Sequence, residues 1–515
     1  MNYRHFIARL AHRTARLCNV AGLAAALWLG AASTVFAAGG DFDTTFSPSG
    51  NPAGIARFIA GGSESRSEAL LVTETNAVFV AGYCLNSVIE LCISKRNAGG
   101  GADSSFGGSG TVTISGFGSS GANALTRDRQ GNLWVGGMCA GSGCIHKISP
   151  SGGFYVNVGS GGLITVPQLR SVQVMTMTAD GKILVGGVCT NVGAGQPCLG
   201  RLLTDGSFDP SFNGGAMWVW STLRGGAVKT LIPRSDGKVY LGATCDTGTS
   251  SAVNRMCYAD IASNGSLLST YTASVPGSTA ATLGSLVLAS DGALIGAGTC
   301  TEISTGNFRG CMFRFLPATG IDTTFGSSGY IMGVALGATA MSVYGLLERE
   351  DGSLIMVTQC MASATPFQRY GICLAAFAAN GTPSPQFGGQ STRQLDTEPT
   401  PIGGSSQASW LGTAATITGD GKLVTSGSCF AGVSSPQSCI ARLQLETTPA
   451  TRCTIDLDGS NSTGASSDGV LLMRMLLGLS GNAAITGALS SNASRFSWAS
   501  VRDYAGLHCR LPVAP

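Results

Sequence analysis

Residues 180–189 read Asp-Gly-Lys-Ile-Leu-Val-Gly-Gly-Val-Cys, and the phrase returns along the chain. It is DGKVYLGATC at 236–245, DGALIGAGTC at 291–300, DGSLIMVTQC at 351–360 and DGKLVTSGSC at 420–429. Looser copies are QGNLWVGGMC at 130–139 and NAVFVAGYC at 76–84. The closing cysteines stand 55, 50, 56, 55, 60 and 69 residues apart, and a steady period of this size marks a repeat architecture. Asp-Gly or Gln-Gly ahead of a β-branched run is a hairpin turn. The run before it alternates with period two, as in Val172–Thr178, and short apolar runs follow a second cysteine: CLGRL at 198–202, CMFRF at 311–315, CIARL at 439–443. A turn of the form Asp-x-x-Phe (Asp43–Phe46, Asp103–Gly107, Asp209–Phe212, Asp322–Gly326) then leads into a fourth strand such as Thr111–Ile114. Four short strands in each of seven units predict an all-β fold, a seven-bladed β-propeller over 39–445. An open solenoid is the alternative that the period alone leaves.

Composition agrees with a packed, turn-rich chain. Of 515 residues 44% are hydrophobic and 11% charged, which excludes disorder. Glycine fills 75 positions, about twice the usual ~7% share. Arg4, Arg9, Arg13 and Arg16 precede the mostly apolar run Asn19–Ala38, which ends in small residues. That is the layout of a secretory signal over 1–38; an uncleaved membrane anchor is the alternative, with an apolar core short of the ~20 residues of a span. Without it 27 basic residues face 28 acidic ones, so no basic patch points to nucleic acid. No later segment is long and apolar enough to span a bilayer.

Export permits disulfides. Setting aside Cys18 leaves 16 cysteines in close pairs: Cys84/Cys92, Cys139/Cys144, Cys189/Cys198, Cys245/Cys257, Cys300/Cys311, Cys360/Cys373 and Cys429/Cys439, with Cys453 and Cys509 left for one longer bond. Facing, non-hydrogen-bonded positions of an antiparallel pair have Cα atoms about 4.5 Å apart, so one staple per blade is expected. Bonds between blades, or thiols holding a metal, are the alternatives. Three residues past the second cysteine stands Lys95, Lys147, Arg201, Arg314 or Arg442, and eight residues after Lys95, Arg201 and Arg314 comes Asp103, Asp209 or Asp322. Where the base is missing (Asp260, Ala376) the later acid is missing too (Leu268, Ser384); Lys147 instead faces Tyr155. These read as structural pairs. Arg442 lacks a following acid, and Asp43 is expected to meet it and close the ring.

The phrase Asp-x-Ser/Thr-Phe-Gly-x-x-Gly, an apolar strand, Asp-Gly-Lys-Ile-x-Val-x-Gly and Ala-Arg-Leu resembles the delta-60 repeat of exported bacterial proteins. The likeness covers about residues 40–445. It implies a propeller-like array in the periplasm, at the cell surface or outside a Gram-negative-type bacterium, and implies no established reaction.

Composition changes at the linker 446–452. Asp456-Leu-Asp458-Gly-Ser460-Asn-Ser462, then Asp468 opening an amphipathic run to Leu479, has the order of an EF-hand loop and helix. The segment 453–515, closed by Cys453–Cys509, is similar to the dockerin type I calcium motif. The resemblance implies calcium ligands at Asp456, Asp458, Ser460 and Asp468 and the backbone oxygen of Ser462. Ser460 stands where an acid is usual, Asn461 replaces the turn glycine, the closing acid comes one position late and no second loop follows. Phe496, Trp498, Val501 and Tyr504 suggest a helix packing on the first.

Catalytic signatures are missing from the sequence: no HExxH, GxSxG or phosphate-binding glycine loop occurs. His146 and His508, the histidines left after the signal, read as incidental surface residues. The insertion at about 389–410, with Arg393, Asp396, Glu398 and Trp410, is the candidate functional loop, because loops carry function more often than scaffolds. The favoured function is an exported, non-catalytic binding or scaffold propeller whose partner is a glycan or a surface protein. A propeller hydrolase or lyase acting on extracellular carbohydrate and a purely structural matrix component are the alternatives.

Overall fold

The computed structural model describes residues 39–507 apart from 191–194, 248–252, 335–339, 364–368, 398–409, 431–434, 446–454 and 461–462. The expected signal and linker, Cys453, Ser462, His508 and Cys509 lie outside the described residues.

Seven antiparallel sheets follow one another. The first blade shows the plan: inner strand Glu64–Val72, second strand Val78–Leu85, third strand Ile89–Arg96 and outer strand Thr111–Ile114. Inner strands pack against one another around the ring, and that of blade one meets that of blade seven, Trp410–Ile417, so the ring is closed. The second strands carry nearly continuous apolar runs because neighbouring blades cover both their faces; every residue of Leu423–Cys429 is buried. One cluster joins Trp134 and Ile145 of blade two to Val172, Ile183 and Val185 of blade three.

Blade seven is finished by the start of the chain. Ile55–Phe58 pairs antiparallel with Gln437–Leu443, Ile55 opposite Ala441 and Phe58 opposite Ser438. This tie covers an outer edge that would otherwise present unpaired backbone groups.

One disulfide staples each blade. In chain order the bonds are Cys84–Cys92, Cys139–Cys144, Cys189–Cys198, Cys245–Cys257, Cys300–Cys311, Cys360–Cys373 and Cys429–Cys439, with Cα–Cα distances of 5.7 to 6.1 Å. The pairing is the expected one, within blades and not between them. The expected register is corrected: the half-cystines are not directly opposite but diagonal. Cys84 faces Glu90, while Cys92 faces Gly82, two residues before its bonding partner. The same two-residue offset recurs in the other six blades. Cys144 faces Gly137, Cys198 faces Gly187 and Cys257 faces Ala243. Cys311 faces Gly298, Cys373 faces Thr358 and Cys439 faces Gly427. The diagonal lengthens the span beyond the expected facing distance. The residue facing the second cysteine is thus glycine in five blades. A Cβ at Gly298 would lie 1.9 Å from the Thr282 carbonyl oxygen of the inner strand, so close backbone approach explains the repeated Gly-x-Cys.

After the propeller the described residues form three short helices, α1 (Asp468–Leu476), α2 (Gly481–Ile485) and α3 (Trp498–Leu507). Leu457, Leu471, Met475, Ile485, Val501 and Ala505 form their small core. No helix among the described residues is long and apolar enough to cross a membrane.

Candidate functional site

Each inner strand carries a β-bulge at the same place. The residues left unpaired are Glu68, Asn123, Gln173, Lys229, Gly284, Tyr344 and Thr413 in blades one to seven. All line a central channel of about 840 Å³, since a bulge re-aims its side chain. Burial raises the Glu68 carboxyl pKa against the nearby Arg66 charge. Burial lowers that of Lys229, which also lines the channel. Among the described residues neither forms an ion pair. Asn123 Nδ2 donates to Ser171 Oγ at 2.6 Å, and Thr413 Oγ1 donates to the Ser67 carbonyl at 3.0 Å. Gln173 Oε1 is buried without a partner among the described residues. The Tyr344 hydroxyl turns sideways, accepting from Trp410 Nε1 and Thr425 Oγ1, each at 3.3 Å. Among the described residues the wall thus offers one anion, one cation and several amide and hydroxyl groups, a set able to bind a polar ligand.

Sequence reading missed this ring, although a signal existed. Every member lies sixteen residues before the first cysteine of its blade, a column that is never aliphatic and never repeats.

The paired charges occupy the turn between third and outer strands. Lys95 Nζ lies 2.8 Å from Asp103, and the Nε atoms of Arg201, Arg314 and Arg442 lie 2.7 Å from Asp209, Asp322 and Asp43. Lys182 and Lys422 of the Asp-Gly-Lys turns join Asp209 and Asp43 at 2.9 and 2.6 Å. Burial raises the Asp43 pKa, but hydrogen bonds from Lys422 and Thr45 and the Arg442 charge outweigh it and bring it down to about 2. Lys147 meets Asp128 at 3.3 Å and lies 5.1 Å from the Tyr155 ring centre. In blade four the charges trade places: Asp260 sits at the basic position, and Arg234 from the neighbouring hairpin reaches to 3.8 Å.

Two other expectations need correction. His146 is not on the surface: it is 1% exposed, because its strand is covered on both sides, and its ring packs against Phe117 at 4.8 Å between centroids. At its described ends the insertion is less loop-like than expected. Arg393 lies on the strand Thr392–Leu395 and pairs with Asp41, while Trp410 is fully buried where the inner strand of blade seven begins. Glu398 lies outside the described residues.

In the C-terminal module Asp456, Asp458 and Asp468 converge, one oxygen from each lying within 4.8 Å of the others. Asp458 and Asp468 are fully buried. Asp468 accepts from the amides of Leu457, Asp458 and Gly464 and from Ser467 Oγ. Ser460 N donates to Asp456 and Asp458 at 2.9 and 3.0 Å. The module lies against the hairpins of blades one to three, where Leu71, Glu74 and Arg127 face Ile485, Trp498 and Arg502 across a cavity of about 530 Å³.

A family model described as a domain of unknown function (DUF5122) beta-propeller matches residues 178–212. Those residues are the Asp-Gly-Lys hairpin, staple and Asp-x-x-Phe turn of blade three. No curated protein matches the chain. Among solved structures it is similar to polysaccharide lyase Uly1, at 10% identity and TM-score 0.43 over 74% of this chain and 90% of that one. It is also similar to the beta-propeller domain of the Trilobed protease from Pyrococcus furiosus (8%, 0.41, 75% and 99%) and to the GH74 xyloglucanase from Xanthomonas campestris (13%, 0.40, 76% and 59%). These likenesses are too distant to carry function.

Proposed function

We propose that this is an exported, non-catalytic binding propeller of the cell surface or envelope, which takes a polar group of a glycan or surface protein into its central channel. One observation supports the reading above the others: seven equivalent bulges, held by a repeating scaffold, carry seven different residues, six with side chains and one glycine. Among the described residues the channel lining includes a single carboxylate, Glu68, whereas most glycoside hydrolysis uses two acids about 5–9.5 Å apart. Seven disulfides and the apolar run at the start fit an oxidising compartment.

The C-terminal module is proposed to bind calcium. Converging, largely buried carboxylates suit a hard cation that prefers oxygen ligands. Asp456 and Asp458 with Ser460 would hold it, and Asp468, whose oxygens already accept four hydrogen bonds, would brace the loop. Calcium there would supply a structural cross-link.

A glycan array probed with the secreted form, with and without calcium, tests both parts. Binding without turnover, weakened by Glu68→Gln or Lys229→Met, is the expected result. Turnover of a bound glycan would favour the hydrolase or lyase. A melting profile that calcium leaves unchanged would remove the metal from the proposal.

A further inference from the structure

We propose that Cys139, Cys144 and His146 form, once the disulfide between the cysteines is reduced, a site for a thiophilic divalent cation of the zinc and cadmium type. Nδ1 of His146 lies 3.1 Å from the Gly162 carbonyl oxygen. A carbonyl only accepts, so Nδ1 carries the ring proton and Nε2 keeps its lone pair. That nitrogen lies 3.8 Å from Cys139 Sγ. A ring whose far N–H is held by a backbone carbonyl is the arrangement of a metal-ligating histidine. One donor atom from each of the three residues lies within 4.8 Å of the others, and all three residues are buried.

The hairpin keeps these atoms together without the sulfur bond. Cys139 faces Ser142 and Gly137 faces Cys144 across a tight turn in which Ala140 and Gly141 have φ of 48° and 85°. A sequence separation of 5 makes this the shortest of the seven stapled loops. The position two past the second cysteine is Ser94, Gly200, Ala259, Phe313, Ala375 or Ala441 in the other blades, so blade two alone has an imidazole there. Two thiolates and one divalent ion make a neutral group, whereas a monovalent ion would leave a buried net charge, which is costly. Soft thiolate donors select zinc-like over calcium-like cations.

The chemistry balances. A dithiol passes two electrons and two protons to the disulfide and itself closes to a cyclic disulfide. The cation then displaces both thiol protons to solvent and takes His146 Nε2 as its third donor.

The test uses the full secreted chain, reduced with a dithiol, desalted under argon and titrated with cadmium. The cadmium–thiolate absorbance is read as a difference from the oxidised chain, and circular dichroism monitors the fold. The tightest site is expected to disappear in Cys139→Ser, to weaken at least about ten-fold in His146→Gln and to survive in Cys189→Ser. Equal affinity in His146→Gln, survival in Cys139→Ser, or loss of the fold on reduction before any metal binds would overturn the proposal.

Discussion

Two columns of the repeat behave in opposite ways. At the turn between third and outer strands, the position three past the second cysteine holds lysine or arginine in five blades, and each meets an acid. On the channel wall, the position sixteen before the first cysteine holds seven different residues. The backbone at each place is nearly the same in every blade. The pairs are buried to different degrees, and removing one member of a well-buried charge pair strands the other at a cost of several kcal/mol. The bulge faces an open channel, where the fold tolerates a glutamate, a lysine or a glycine alike. The first column therefore records what the ring needs in order to stand, and the second is a column that the fold leaves open.

The largest expected effect tests the first column at its most buried member. Asp43→Ala leaves Arg442 and Lys422 without their shared acid, and urea unfolding is expected to show a loss of about 3–5 kcal/mol. The same acid should appear in the pH dependence. Its folded pKa of about 2 lies below the unfolded value near 3.9. The stabilisation is therefore complete above pH ~5 and is lost as pH falls from there through about 2; a shift of this size corresponds to about 2.6 kcal/mol. Calorimetry across that window should show Asp43→Ala losing less stability on acidification than the parent chain.

The ring itself was legible because its markers are local. Asp-Gly-Lys turns, Gly-x-Cys strand ends and Asp-x-x-Phe turns each act within one blade and repeat in sequence. The cysteine partners could be paired from spacing alone, but their diagonal register could not, because it depends on how closely the inner strand approaches the glycine. What stayed hidden elsewhere depends on long-range placement. The pairing of Ile55–Phe58 with Gln437–Leu443 joins segments some 380 residues apart, and only the unmatched charges of Arg442 and Asp43 hinted at it. The bulges shift register by one residue, which no period-two pattern reveals. His146 looked superficial because a polar ring on a strand usually faces solvent, yet here blades cover both faces. Trp410 looked like part of a loop because the insertion before it hides where the strand starts.

Next in size come the channel variants. Lys229→Met and Glu68→Gln are each expected to change unfolding free energy by no more than about 0.5 kcal/mol. Each should weaken the ligand found on the array at least ten-fold, equivalent to about 1.4 kcal/mol. Removing a lone, partly desolvated charge should not harm the fold. If these variants unfold the chain while leaving its binding intact, the division between the two columns is wrong.

The smallest expected effect sharpens the comparison from inside the first column. Lys95–Asp103 has almost the same geometry as Arg442–Asp43, 2.8 against 2.7 Å, but its side chains are 17% and 24% exposed against 7% and 1%. Water can replace either partner of the first pair, so Lys95→Met should cost about 0.2–1 kcal/mol. The cost should shrink further in 1 M salt, where the screening length is about 3 Å, while that of Asp43→Ala should hardly move. If Lys95→Met proved as damaging as Asp43→Ala and equally indifferent to salt, pair geometry rather than burial would govern these turns. The repeated bases would then have to be explained by directional hydrogen bonding instead of by the penalty of an unpaired buried charge.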